Sequence, residues 1–313
     1  MSIYKKTVGM LTLAALLSGC SSAPAVEKEA KTPLKVGVLA PFSGDAASYG
    51  EEIQIVLTQT AAQLNTTETQ VELVYEDSKC TGQDAVTAYQ KLIDIDGVDV
   101  ILGGTCSSES LAIAPLLETN NMVALSAASS NPNIEGASPN LFTLAYNDYI
   151  TADGMTEQAE KFTKVAIITE QNDYNIGIQK ILETNLGKSV VSNEVFEKGA
   201  TDMRNIIQKA LSQKPEALIL NPNVGTTAQV LLRQLAEFES ELEGVQLISQ
   251  IAYMSAEARQ DASSLSEGMM IIDAPSIQSE EMNQLKKSLS APTNYLGDFM
   301  TATSHDALIN LVR

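Results

Sequence analysis

Two short turns rich in small and hydroxyl-bearing residues are the segments of this sequence best suited to bind a small molecule. Residues 41–50 read PFSGDAASYG and residues 103–108 read GGTCSS; each lies between an apolar run and a helical pattern. Helix starts, with free N–H groups and hydroxyls, can hold an anionic group without a balancing cation. In open α/β sheets such turns lie at the carboxyl edge, where ligands bind. The sequence therefore predicts a binding pocket with little catalytic equipment.

Elsewhere the sequence offers few groups for catalysis or metal binding. The single histidine, His305, lies in a late helical pattern with no nucleophile near it in the sequence. There is no Gly-x-Ser-x-Gly turn, phosphate-binding loop or metal-spaced His/Cys cluster. We therefore expect no catalytic residue, no metal and no cofactor. A dyad of Cys106 with His305 is the remaining route to a hydrolase.

The composition limits the partners of the protein. The formal net charge is -19 over 313 residues, which disfavours nucleic acid because its phosphates need Lys and Arg. The same acidity keeps a secreted protein soluble. The length suffices for two domains with their own cores.

The first twenty residues have the pattern of an export signal. Lys5 and Lys6 precede an apolar run over residues 8–17, which is too short to span a membrane. The Leu-Ser-Gly-Cys that ends at Cys20 resembles the processing box of bacterial lipoproteins. This resemblance implies cleavage before Cys20 and lipidation of its sulfur, which would anchor the protein to a bacterial membrane. The alternative is an ordinary signal peptide followed by a chance cysteine.

Two further cysteines, Cys80 and Cys106, each follow a predicted strand. If those strands are neighbours in a parallel sheet, the loops after them meet at one edge of the sheet. An oxidising compartment then favours a disulfide. The alternatives are a reactive Cys106 thiol and two unpaired buried thiols.

Strand-like and helical patterns alternate along the chain from Leu34 onward. Strands are predicted at residues 35–40, 71–75, 98–102, 122–126, 141–144, 164–169, 189–196, 217–220, 245–249 and 269–272. Helices are predicted at residues 49–64, 83–94, 108–120, 148–162, 174–186, 202–212, 226–239, 255–261 and 298–312. This rhythm is typical of the α/β class and predicts two doubly wound parallel-sheet lobes joined by a hinge.

Crossings of the chain near residues 144–148 and 273–276 are predicted to form the hinge, and the last helix is predicted to return to the first lobe. A cleft between two such lobes is a common small-molecule site. The predicted organisation is a signal peptide at 1–19, a lipidated cysteine and flexible tether at 20–32, a first lobe at 33–147 and 274–313, and a second lobe at 148–273.

Several short motifs follow one another in a fixed order. They are KVGVLAPFSG at 35–44, YG at 49–50, ED at 76–77, GTCSS at 104–108, Ser126 through NP at 131–132, II at 167–168 and DYNIG at 173–177. In this order they resemble the type I periplasmic binding proteins, specifically the branched-chain amino-acid (Leu/Ile/Val-binding) and amide branch that feeds ABC importers. The resemblance implies the type I periplasmic binding protein fold. It also implies a disulfide between Cys80 and Cys106, since the family disulfide links the corresponding loops.

The resemblance also implies a set of ligand-binding residues. Ser107 corresponds to the serine that helps hold a ligand carboxylate in amino-acid binders, although its hydroxyl could serve only to cap a helix. Ala128 and Ser130 match the loop positions that hold the carboxylate and the ammonium. Tyr174 corresponds to a second-lobe tyrosine that could close over the ligand, with ordinary packing as its alternative. Tyr49 is placed at the mouth of the cleft.

The chain departs from the family pattern where an acidic residue would hold the α-ammonium. The segment after the predicted strand 245–249 reads QIAY and has no carboxylate. An unpaired buried ammonium is costly. Either the ligand lacks an amine, or another acid such as Asp148 or Asp45 holds it.

A second departure is at the C-terminus. Family members usually continue beyond the position of Arg313, adding strands and a third crossing between the lobes. The last part of the first lobe is therefore expected to be missing, either because the sequence is incomplete or because the lobe has a reduced edge.

Together these observations predict a monomeric extracytoplasmic substrate-binding lipoprotein of an ABC importer. It would capture a small solute (an amino acid or a related amide or carboxylate) by hinge closure and deliver it to a membrane permease. The alternatives are a ligand-sensing receptor module of the same fold and a hydrolase.

Overall fold

Two parallel five-stranded β-sheets form the framework of the protein. The computed structural model describes residues 32–66, 70–274, 276–294 and 296–313. The strands are β1 (Leu34–Ala40), β2 (Val71–Asp77), β3 (Val100–Gly103), β4 (Ala124–Ser126), β5 (Leu141–Thr143), β6 (Val165–Glu170), β7 (Val190–Phe196), β8 (Ala217–Asn221), β9 (Gln246–Gln250) and β10 (Met270–Ile272). The first sheet has the order β2-β1-β3-β4-β5, and the second, β10-β9-β8-β6-β7, repeats that order when read from its other edge. The predicted fold class is confirmed.

Helices cover both faces of each sheet. They are α1 (Ala47–Leu64), α2 (Gly82–Asp94), α3 (Ser107–Thr119), α4 (Tyr149–Ala159), α5 (Asp173–Leu186), α6 (Arg204–Ser212), α7 (Thr226–Leu235), α8 (Ala256–Arg259), α9 (Ser263–Ser266), α10 (Glu280–Ser288) and α11 (Gly297–Val312). We call the first sheet with α1–α3 and α11 the first lobe, and the second sheet with α4–α9 the second lobe.

The near-continuous apolar strands explain this layering, because successive side chains point to opposite faces of a sheet. In β6, Val165 and Ile167 pack in one cluster with residues of α4 and α5. Ala166 and Ile168 pack in the other, with residues of α6 and α7. All four are fully buried, so both faces of the second sheet are covered.

The chain passes from the first lobe to the second between β5 and α4, which packs on α5, β9 and β10. It returns after β10, and α11 then packs on α1, β3 and β4. The predicted division of the chain into lobes, with boundaries at 147/148 and 273/274, stays a prediction.

Two sequence predictions about the elements were wrong. The helix α10 was not predicted. The strands β2 and β3 are not neighbours, because β1 lies between them and pairs with both. The loops that follow β2 and β3 nevertheless meet beyond the end of β1, where Cys80 and Cys106 form the predicted disulfide.

The predicted signal peptide, the lipidation site Cys20 and residues 21–31 of the tether lie outside the described residues. Among the described helices, none has both the length and the apolar character needed to cross a membrane.

Candidate functional site

A cavity of about 310 Å³ lies between the carboxyl edges of the two sheets. This volume is in the range of small-molecule pockets. Each sheet reverses its strand order beside its first strand, and ligands of open α/β sheets bind at such points. Loops from both lobes line the cavity, with Tyr49, Ser107 and Ser130 from the first lobe and Tyr174, Ile251 and Asp273 from or beside the second.

The five residues predicted as ligand-binding all line this one cavity: Tyr49, Ser107, Ala128, Ser130 and Tyr174. These residues lie far apart in the sequence, between positions 49 and 174. The structure thus brings the predicted set together. Their roles toward a ligand stay predictions.

Ser107 is held in place by the loop that follows β4. It is the first residue of α3, and Cys106 occupies the N-cap position before it. The Ser107 hydroxyl oxygen accepts hydrogen bonds from the backbone N–H groups of Ser130, at 3.4 Å, and Asn131, at 3.2 Å. The hydroxyl keeps a proton that it can still donate, because these two bonds use only its oxygen. Cys106, not Ser107, is the N-cap of α3; contact of Ser107 with a ligand stays a prediction.

Serine hydroxyls shape the loop that carries Ala128 and Ser130. Ser126 and Ser129 both donate to the backbone oxygen of Gly104, at 2.6 and 2.8 Å. The Ser126 oxygen in turn accepts the N–H of Ala128 at 3.2 Å and of Ser129 at 2.9 Å. These bonds fix the loop against the turn that precedes α3.

Glu109 secures the opposite side of the same turn. Its carboxylate accepts from the Ser78 hydroxyl at 2.5 Å and from the Cys106 N–H at 2.9 Å. Burial raises the pKa of Glu109 to about 7, and these hydrogen bonds oppose the rise. The sequence contained a signal for this role of Glu109, because an acidic residue three positions after the N-cap residue, here Cys106, is part of a capping box.

In the second lobe, Tyr174 lies in the first turn of α5, which Asn172 caps through the Asn175 N–H at 2.9 Å. The Tyr174 hydroxyl donates to Gln250 Oε1 at 3.5 Å. Burial, followed by the charge of Asp148, raises the pKa of Tyr174 well above its ordinary value. The side chain is therefore neutral at physiological pH.

Two carboxyl groups near the hinge were not assigned a firm role from the sequence. Asp273, directly after β10, lines the cavity, and burial raises its pKa. Asp148 is fully buried, and neither carboxylate oxygen has a hydrogen-bond partner in the part of the chain that the structure describes. Burial raises the pKa of Asp148 to about 7; the nearby Ser130 hydroxyl opposes the rise without forming a well-aligned bond. Asp45, the other acid considered, accepts a bond from Thr227 at 3.2 Å and is not part of the cavity lining.

Several polar contacts join the lobes around the cavity. Asn131 Nδ2 donates to the backbone oxygen of Asp173 at 2.5 Å. Lys198 Nζ donates to the backbone oxygen of Cys80 at 3.1 Å, and Thr227 donates to Asp45. The cleft is therefore closed in this structure.

Cys80, Cys106 and His305 have structural partners and do not form a catalytic dyad. Cys80 and Cys106 are bonded to each other, so neither offers a thiol for catalysis. His305 Nδ1 lies 2.8 Å from the Thr60 hydroxyl, between α11 and α1. The proposed Cys106–His305 dyad is wrong.

Comparison with known proteins identifies a family and several relatives that this chain resembles. The periplasmic binding protein family matches the chain over residues 33–292. An amino acid binding protein of Pseudomonas aeruginosa is 25% identical over 243 residues, which are 73% of this chain and 63% of that protein. The Leu/Ile/Val-binding protein of Escherichia coli K12 is 24% identical over 195 residues, 60% of this chain and 53% of that protein. The chain thus spans less than two thirds of the length of these relatives.

Solved structures share the fold at low identity. A solute-binding protein of an ABC transporter from R. palustris, in complex with 4-hydroxybenzoate, is 19% identical with a TM-score of 0.77, covering 90% of this chain and 80% of that chain. A leucine-binding protein from Thermotoga maritima is 19% identical with a TM-score of 0.76, covering 89% and 81%. A branched-chain amino acid binding protein from Streptococcus pneumoniae, in complex with isoleucine, is 18% identical with a TM-score of 0.74, covering 90% and 83%.

Proposed function

The chain belongs to the periplasmic binding protein family, and on this premise we propose that it captures a small solute outside the cytoplasm for an ABC importer. The proposed solute is an amino acid or a related amide or carboxylate. Binding and release require no covalent chemistry, which agrees with a family of binding proteins.

The observation that carries this proposal is the closed cavity lined by both lobes. On the first-lobe side, the hydroxyl of Ser107 lines the cavity at the N-terminus of α3, and its bonds to Ser130 and Asn131 leave its proton available for donation to a solute. Hydroxyl donors and a helix N-terminus can bind a carboxylate without a cation. On the second-lobe side, Tyr174 and Ile251 supply ring and aliphatic surface for the rest of the solute.

The mechanism we propose is closure around the solute. A solute that touches both lobes binds the closed form more tightly than the open form, and this difference in affinity shifts the population toward closure. The contacts of Asn131 with Asp173 and of Lys198 with Cys80 exist only when the lobes meet. A membrane permease would recognise the surface that closure creates, and the protein would act as a monomer.

We also propose that Cys20 carries the lipid that holds the protein at the membrane. The support is the Leu-Ser-Gly-Cys box after an apolar segment. Mass spectrometry of the mature N-terminus tests it: a mature chain that begins elsewhere than at a lipid-modified Cys20 would contradict the anchor.

A thermal-shift screen of the mature protein tests the proposed function. The panel should contain amino acids, amides, short carboxylates and hydroxybenzoates, since relatives and structural neighbours bind amino acids or hydroxybenzoate. A solute that binds the folded form raises the melting temperature by mass action. If no solute of the panel raises it at millimolar concentration, the proposed function is wrong.

Replacing Ser107 by alanine is expected to weaken the binding of a carboxylate-bearing solute by about tenfold or more. A hydrogen bond to a charged group contributes about 1.5–3 kcal/mol, and the Ser107 proton is the free donor described above. Isothermal titration calorimetry measures the change. Thr119→Ala, at an exposed hydroxyl on the same helix, is the control and should bind normally. Unchanged affinity of Ser107→Ala would remove Ser107 from the site.

A further inference from the structure

The hinge side of the cavity carries a carboxyl group that the protein itself does not neutralise. Two acids line the cavity, Asp273 and Asp298. Asp298 forms an ion pair with Lys286 and accepts from the Ser276 hydroxyl at 2.8 Å. Asp273 forms no ion pair in the described part of the chain, and the backbone N–H of Ala274 is its donor there. Among the described lining residues there is no lysine or arginine.

Asp148 adds a second, independent sign of a missing partner. It is fully buried next to Ser130, which lines the cavity, and both of its carboxylate oxygens lack a hydrogen-bond partner among the described residues. Buried charges are normally paired, because an isolated one is expensive. The backbone N–H of Asp148 donates to the Ser130 oxygen at 2.9 Å, so the residue adjoins the cavity wall. Its charge also contributes to the raised pKa of Tyr146 and Tyr174, which line the cavity.

Aromatic rings complete the surroundings of these two acids. Tyr49, Tyr146, Tyr174 and Phe299 all line the cavity. The Tyr146 and Phe299 ring centroids are 5.1 Å apart with a 60° angle between the planes. Asp273 lines the same cavity as these rings, and its charge contributes to the raised pKa of Tyr49, Tyr146 and Tyr174. Aromatic faces attract cations, most strongly where water is excluded.

We propose that the cavity holds a positively charged nitrogen of the bound solute, an organic ammonium, beside Asp273 and among the rings of Tyr49, Tyr146 and Phe299, with Asp148 as a buried carboxyl behind it. The proposal rests on the proposed function, since it assumes that a solute occupies this cavity. It assigns the ammonium to the end of β10 rather than to the loop after β9.

The end of β9 and the loop after it are unsuited to this role because they carry no carboxylate. Gln250, the last residue of β9, donates to the backbone oxygen of Pro222 at 2.5 Å, and its side-chain oxygen accepts from Tyr174 and Ala252. This uncharged side chain cannot neutralise an ammonium. A solute with no cationic nitrogen would leave Asp273 and Asp148 unpaired inside the closed protein. The ligand class is therefore a cation or zwitterion, not a simple carboxylate.

Matched pairs of solutes test the proposal directly. Thermal shift and calorimetry compare L-leucine with 4-methylpentanoate, L-phenylalanine with 3-phenylpropanoate, and 4-aminobutyrate with butanoate. At least one amine should bind, and its nitrogen-free partner should bind at least tenfold more weakly or not at all. Binding of nitrogen-free carboxylates alone, 4-hydroxybenzoate included, would overturn the ammonium site and leave the proposed function standing. Failure of every probe would contradict the proposed function, and the ammonium site with it.

Variants locate the site. Asp273→Asn is expected to weaken binding of the amine by about tenfold and to leave the affinity of any nitrogen-free solute unchanged or higher. The control Asp94→Asn removes the same charge from an exposed position on α2. It should leave the affinities for the amine and for the nitrogen-free solute unchanged. Equal weakening of both solute classes by Asp273→Asn would show a structural role only and would overturn the proposal.

The pH dependence tests Asp148 as a positioning residue. A bound cation favours the ionised carboxyl, so affinity should rise with pH through the pKa of about 7 and fall below it. The titratable groups facing this region are Tyr146, Tyr174 and Asp273; burial keeps the tyrosines neutral there, and Asp273 acts in the same direction. Asp148→Asn should flatten the profile between pH 6 and 8. An unchanged profile would remove Asp148 from the site.

Discussion

Replacing Gly177 by leucine is expected to weaken solute binding by about a hundredfold, which is about 2.7 kcal/mol, while the solute-free protein keeps its melting temperature within a few degrees. A Cβ atom on Gly177 would lie 2.5 Å from Asn131 Nδ2 across the cleft, and the three heavy atoms nearest to it all belong to Asn131. Leucine at this position is therefore expected to obstruct closure, because its first side-chain atom meets Asn131 of the other lobe. Leucine also has a higher helix propensity than glycine, which helps the solute-free form. Calorimetry and thermal unfolding measure the two effects.

The matched control is Thr184→Leu, at an exposed position on the same helix. It introduces the same side chain away from the cleft and should bind normally. Wild-type affinity in Gly177→Leu would show that the bound form does not need the contact between Asn131 and Asp173. It would thereby contradict closure as the mechanism.

The fold was predictable from the sequence because each buried strand is a short apolar run between turn signals. The strand β8, with all five residues buried, is an example. The helix α10 was missed because only Met282 and Leu285 in it are buried, which is too sparse a pattern for periodicity. The start of α10 nevertheless had a sequence signal, because a serine, Ser279, is followed by the acidic residues Glu280 and Glu281. In the structure the Ser279 hydroxyl accepts the Met282 N–H at 3.1 Å.

The first-lobe side of the candidate site was more predictable than the hinge side. The positions of Ser107 and Ser130 followed from the resemblance and from the edge where parallel strands end. Asp273 was not singled out as a ligand-binding residue, because it follows a short edge strand, although the predicted hinge crossings at 144–148 and 273–276 already related it to Asp148. The sequence did not indicate that both carboxyls act on the same tyrosines, Tyr146 and Tyr174.

The order of the strands within the first sheet was also not predicted correctly from the sequence. The disulfide was predicted on the assumption that β2 and β3 are neighbours, yet β1 separates them. The two cysteines still meet because both loops extend beyond the end of β1. The disulfide therefore bridges the loops on either side of the strand that leads to Tyr49.

Removing the disulfide with the double variant Cys80→Ser and Cys106→Ser is expected to lower the free energy of unfolding by about 3.5 kcal/mol, the chain-entropy value for a loop of about this length. The cysteines are 26 positions apart. Solute affinity should fall as well, because the Cys80 backbone oxygen accepts the interlobe bond from Lys198 at 3.1 Å. Urea unfolding gives the stability, and calorimetry gives the affinity.

Reduction of the unmodified protein with dithiothreitol is the parallel experiment and should reproduce both losses, whereas the double variant should not respond to the reductant. Lys198→Met separates the two effects, since it removes the bond to Cys80 but leaves the disulfide. It should weaken binding with little change in stability, because an exposed lysine contributes little to folding. If the double variant loses stability but binds as tightly as the unmodified protein, the loop of Cys80 is a structural restraint alone and takes no part in closing the cleft.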